Sequence, residues 1–322
     1  MKTAAKVWLI VAAALVVAGS VLFVVVMAPG HWDFKGLGEA YFVTTTIDVD
    51  ADFREILVES DTESVLIQPS PTGSAWVRFL EHDKVIPSAK VTDGRLVITT
   101  DDTRKWYERI TFSGSGTILV YLPQTGYDRL TVKNSTGSLL IPRDFTFGSI
   151  DAELATGSIT CNASASGTVR LTTSTGRIMV EKVNAGEMEL TASTGRITVN
   201  AVRCEGALTV NETTGSAAVR DVVCADFRSK GSTGTIMLEK VIASGTFSVK
   251  RSTGSVRLEK CDAAEIEIET NTGSVKGSLL SGKVFTARSD TGRVRVPESD
   301  ASGGSCRVTT NTGSISITVA GE

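Results

Sequence analysis

Histidine is almost missing from these 322 residues, with only His31 and His82 present. That leaves little from which to build a histidine-ligated metal centre or a His-dependent catalytic triad. A basic excess is missing too. Thirty-three Lys and Arg against 36 Asp and Glu give a formal charge of −3, so there is no electrostatic footprint for a nucleic-acid partner. Aromatic residues make up 6% of the chain, and no outward row of them offers stacking to sugar rings, as a polysaccharide-degrading β-helix would need. No group of outward Asp residues on neighbouring repeats suggests Ca²⁺ or acid–base work. No Gly-Lys-Ser/Thr completes a phosphate loop. These gaps predict a non-enzymatic chain with no catalytic, cofactor-binding or metal-binding residues and no cofactor. They favour a scaffold or a binding surface.

What is abundant is a single dipeptide. Thr-Gly recurs at Thr136-Gly137, Thr156-Gly157, Thr175-Gly176, Thr194-Gly195, Thr214-Gly215, Thr233-Gly234, Thr253-Gly254, Thr272-Gly273, Thr291-Gly292 and Thr312-Gly313. The glycines stand 20, 19, 19, 20, 19, 20, 19, 19 and 21 residues apart. Such a period marks a solenoid, whose core grows by stacking. Aligned on the glycine, the positions two and four after it and seven and five before it are mostly apolar; Ile178, Val180, Val169 and Leu171 are one set. Pairs spaced by two follow the strand period and exclude helical repeats of this length. Each coil therefore holds at least two strands.

The glycine is expected to take positive φ at a sharp corner, and the Thr before it to make short polar contacts. A lone Thr beside a corner does not make the flat two-Thr face of an ice-binding solenoid. The fold class is all-β: a parallel solenoid of about ten coils, right-handed by the crossover rule, with a β-rich N-terminal cap and one preceding transmembrane helix.

The boundaries follow from composition. Residues 1–6 form a cytoplasmic tail, 7–28 a transmembrane anchor, 29–38 a tether, 39–125 the cap and 126–322 the solenoid. Val7 to Ala28 is uncharged, and 22 helical residues span about 33 Å, enough for a hydrocarbon core of roughly 30 Å. A cleaved signal peptide is the alternative, with small residues at Ala18-Gly19-Ser20. However, the apolar run continues through Val26. Lys2 and Lys6 precede the span, so the positive-inside rule leaves the N-terminus cytoplasmic and the bulk of the chain extracytoplasmic. In the cap, Asp93-Gly94 reads as a two-residue hairpin turn, and Trp76, Trp106, Tyr41, Tyr107 and Tyr121 read as core aromatics. The five cysteines read as buried thiols, with a Cys204–Cys224 bridge between stacked coils as the alternative.

The Ser/Asn-Thr-Gly-Ser/Arg-Ile/Val repeats from 134 to 319 carry a resemblance. So do Val120-Tyr121-Leu122-Pro123, Tyr127-Asp128-Arg129-Leu130-Thr131-Val132 and Asp93-Gly94-Arg95-Leu96-Val97-Ile98. Over about 48–319 the chain resembles the bacterial putative-adhesin β-strand-repeat proteins, a domain of unknown function. The resemblance implies the solenoid and brings no catalytic or ligand-binding residues. It also implies a second role, in envelope-stress sensing, as an alternative to surface adhesion. The expected partners are the lipid bilayer through residues 7–28 and a protein or cell-wall polymer at the surface. An uncovered edge at the last coil, around 315–317, is expected either to meet a further copy of the chain or to dock another partner.

Overall fold

The computed structural model describes residues 3–27, 42–104 and 116–320. The expected tether, Trp106, Tyr41 and Tyr107 lie outside these. Two units are separate: one holds residues 1–41 and 104–114, the other 42–103 and 115–322. In the first, Thr3–Met27 forms a helix, α1, over the apolar run. Side chains of α1 are described at 11–21, 23 and 24, and among the described residues no helix is long and apolar enough to cross a membrane.

The second unit is all strand. In chain order these are β1 (Phe42–Val49), β2 (Glu55–Ser60), β3 (Ser64–Pro69), β4 (Ala75–His82), β5 (Val85–Thr92), β6 (Arg95–Asp102) and β7 (Thr117–Leu122). Then come β8 (Gly126–Ile141), β9 (Thr146–Cys161), β10 (Ser164–Glu181), β11 (Asn184–Cys204) and β12 (Ala207–Cys224), each bending through a Thr-Gly corner. After them the corner separates strands: β13 (Asp226–Thr233), β14 (Ile236–Ala243), β15 (Thr246–Thr253), β16 (Val256–Cys261), β17 (Glu265–Thr272) and β18 (Val275–Leu279). The series ends with β19 (Val284–Thr291), β20 (Val294–Arg295), β21 (Ser305–Thr312) and β22 (Ile315–Val319).

Successive coils pair in parallel and in register, Gly on Gly: Gly157 on Gly137, Gly176 on Gly157, Gly195 on Gly176. The four apolar columns expected from the sequence are the core, with Ile178, Val180, Val169 and Leu171 all fully buried. The expected positive φ is present, between 135° and 158° at the ten ladder glycines. Stacking adds a second requirement that the dipeptide does not announce. A Cβ on Gly157, Gly176 or Gly195 would overlap the carbonyl oxygen of the ladder glycine in the preceding coil.

The Thr of each corner does not make the contacts expected of it, because its side chain points to solvent. Hydroxyls three residues before the glycine do this work instead. Thr173 donates to the Gly157 carbonyl, Thr270 to Gly254 and Thr310 to Gly273, at 3.1–3.5 Å.

Each middle coil also has a third side. Six residues after the ladder glycine, Lys182, Ala201, Asp221, Lys240 and Lys260 take φ of 50–56° and turn the chain again. Val202 then pairs with Val222, Val222 with Val241, and Cys224 with Ala243. Cys204, Cys224, Cys261, Cys161 and Cys306 are all free and buried, so the Cys204–Cys224 bridge is not formed. Burial pushes these thiols up, Cys204 to about 11 and Cys224 to about 12.

Both ends of the ladder depart from chain order. At the N-terminal end β2 and β3 lie directly on β8, and β6 and β7 lie on their far side in parallel. Antiparallel β5, β4 and β1 then follow. The Asp93-Gly94 turn joins β5 to β6 with φ of 51° and 72° at its two residues, as expected. At the C-terminal end β21 pairs with both β17 and β19, and β22 with both β18 and β20. The tenth coil is thus inserted between the eighth and the ninth, and the uncovered edge expected at 315–317 is not there. Pro297 follows the ninth coil, and Gly303-Gly304 lets the chain return, since a Cβ at either would overlap the backbone of Gly282 or Ala264.

Candidate functional site

Of the cap aromatics expected in the core, the two that are described, Trp76 and Tyr121, are only partly buried. Trp76 and Tyr121 are cross-strand neighbours on the outward face of β4 and β7, stacked 3.6 Å between centroids. The Arg78 guanidinium lies 4.9 Å from the Trp76 ring. With Tyr121 stacked on it and Arg78 beside it, the Trp76 ring already has its partners within the chain. The core aromatic of the cap is Phe79, which is fully buried.

A groove of about 750 Å³ runs beside the cap along the corner that leads into each coil's first strand. Its floor steps from the large Tyr127 and Phe147 to the small Ala165 and Ala185, and the change of size makes the hollow. Phe145 and Phe147 pack on Tyr127 with centroids 6.0–6.3 Å away, and the Tyr127 hydroxyl donates to the Pro123 carbonyl at 2.9 Å. The ring end is therefore fixed in place. Gly148, Gly167 and Gly186 lie along this corner, and a Cβ on any of them would press on a carbonyl of the preceding coil. Polar groups line the rim: the Arg54–Asp128 ion pair at 3.1 Å on one side, and Ser166, Asn184 and Arg203 further along. An apolar floor with a few fixed polar groups is the usual build of a binding groove, and the volume lies in the usual range.

A second groove, of about 480 Å³, lies over Gly231 between Lys230 and Lys250. Beneath it is the one fully buried ion pair among the described residues, Glu212 with Arg251, both essentially without exposed side-chain area. Arg251 Nη2 also donates to Ser229 Oγ at 2.9 Å, which in turn donates to the Val210 carbonyl. Burial raises the Glu212 carboxyl and lowers Arg251, while each charge opposes the other's shift. Both residues occupy the column three before the ladder glycine, which the apolar-column reading left out. A charged residue at −3 in an otherwise apolar coil was the available signal.

Elsewhere the outward faces carry mixed charge. Arg170 pairs with Glu189 at 3.1 Å, Arg220 with Glu239 and Lys240 with Asp221. Such exposed pairs contribute little to stability. Among the described residues, no three His, Cys, Asp or Glu side chains converge as metal ligands.

The sequence profile of the Toastrack DUF4097 family matches residues 53–240 and, overlapping, 205–322. No curated protein sequence matches the chain. Among solved structures, it is similar to a putative adhesin from Bacteroides fragilis NCTC 9343, at 11% identity over 87% of this chain and 98% of that one, with a TM-score of 0.44. A putative lipid binding protein from Parabacteroides distasonis ATCC 8503 matches at 13% identity over 73% and 96%, with a TM-score of 0.49. A putative adhesin from the same organism matches at 12% identity over 87% and 98%, with a TM-score of 0.38. The profile match takes in every Thr-Gly corner and the strands from β2 onward, and on that ground the chain belongs to the Toastrack DUF4097 family.

Proposed function

We propose that the chain is a membrane-anchored, extracytoplasmic and non-enzymatic binding module. The groove floored by Tyr127, Phe147, Ala165 and Ala185 holds an extended segment of a surface macromolecule. The observation that carries this reading is the groove itself, an apolar trough with a polar rim built on parallel ladders that leave it little freedom to close. A preformed groove of this kind loses little entropy on binding. The anchor rests on the sequence run from Val7 to Ala28, which α1 covers as far as Met27. The orientation rests on Lys2 and Lys6 before that run.

Full-length protein in detergent, presented to cell-wall polymers and to surface and matrix proteins, should retain one class of them. Ser166→Trp, at an exposed position of the groove lining, should weaken that binding at least about tenfold, with unfolding unchanged. Retention of nothing, or binding indifferent to Ser166→Trp, would overturn the groove reading. Alkaline carbonate extraction of membranes tests the anchor, and release of the chain into the supernatant would overturn it.

A further inference from the structure

The true end of the ladder is the ninth coil. Val294, two residues after its ladder glycine, is 38% exposed, whereas the same column in every other coil is exposed by 2% or less. Val284 is 43% exposed, and Phe285, Ala287 and Val296 are only partly covered. The N–H of Val284 donates inward to the Gly304 carbonyl at 2.8 Å. By strand alternation the backbone groups of Phe285, Ala287 and Ser289 therefore face outward. Ser299 Oγ accepts from Phe285 at 3.0 Å, while the outward N–H groups of Ala287 and Ser289 have no partner among the described residues. At the other end the edge strand β5 carries Pro87 and Lys90, two features that blunt a sheet edge, while β1, the edge beyond β4, carries neither. β19 carries neither proline nor lysine.

We infer that two copies of the chain join end to end by antiparallel pairing of β19 with β19, each covering the other's exposed core. The charges on the strand select this occupant. Arg288 and Asp290 lie two residues apart on the outward face and already pair within one chain at 3.1 Å. In an antiparallel pair centred on Ser289, Arg288 stands opposite Asp290 of the partner subunit, and the twofold axis repeats the contact. Centring on Arg288 would set the two arginines against each other. This inference is independent of the groove.

The test measures the protein mass of the full-length chain in detergent by light scattering. The wild type should show twice the 34.0 kDa of the single chain. Ala287→Pro deletes one outward N–H and leaves the bonds to β21 in place, so it should give monomer with an unchanged circular-dichroism spectrum. Arg288→Asp and Asp290→Arg should each weaken the dimer at least about tenfold, and the two together should restore it. A wild-type monomer would overturn the inference. So would a dimer that ignores Ala287→Pro, or a double variant that fails to recover.

Discussion

Arg251 of the seventh coil reaches past the sixth and donates through Nη1 to Glu212 Oε1 of the fifth, at 2.6 Å. The contact is possible because residue 231, in between, is glycine; a Cβ there would overlap Nη1. Removing one member of a buried pair strands the other charge, so Arg251→Met should cost about 3–5 kcal/mol in denaturant unfolding. Glu212→Leu combined with Arg251→Met should recover most of that loss. Gly231→Ala should lower stability without altering either charge.

Ladder glycines should be far less replaceable than the threonines beside them. Gly195 has φ of 148° and stacks on the Gly176 carbonyl, so Gly195→Ala meets strain and overlap together. A loss above about 2 kcal/mol is expected. Thr194→Ala removes only an exposed side chain and should stay within about 0.5 kcal/mol. Thermal unfolding of the two variants makes the comparison.

Acid should expose the contribution of Asp226. Its carboxylate accepts from the Thr246 N–H and hydroxyl, both at 2.8 Å, and these bonds with nearby Arg228 hold its pKa below the ordinary 3.8. A depressed carboxylate stabilises the fold above its unfolded pKa, and that stability disappears as pH falls through the folded value. Asp226→Asn should therefore lower the melting temperature at neutral pH, and the gap from wild type should close as pH falls below 3.8.

The thiols should be silent in the folded chain. With Cys204 pushed to about 11 and Cys224 to about 12, almost no thiolate is present at pH 8. Iodoacetamide should label neither until denaturant is added. Intact mass should be the same with and without reductant.

The repeat made the stacking legible because glycine, at a corner that demands positive φ, leaves an unbroken trace. The columns at Ile178, Val180, Val169 and Leu171 could be read for the same reason: burial on one side of a strand has a period of two. The third side was harder to see. Its corner falls on Lys182, Ala201, Asp221, Lys240 and Lys260, which share a backbone conformation but not one residue type, so no constant letter marks it. The glycines at 148, 167 and 186 were in plain view but lack a constant neighbour. Glu212 and Arg251 were hidden because they satisfy each other 39 residues apart, through a coil that contributes only a gap. The order of the last coils was hidden for a different reason: periodicity gives the number of coils and their register, but not which neighbour each one meets.

That order affects how the chain can be made. The ninth coil leaves the ribosome ahead of the tenth, yet its ladder pairings are with the tenth alone. While the eighth coil offers a finished edge, residues 284–296 must wait off that edge for a slot that does not yet exist. Growth coil by coil therefore ends at Leu279. The last forty or so residues have to close as one unit, with β21 and β22 seating on the eighth coil before the ninth has anything to hold.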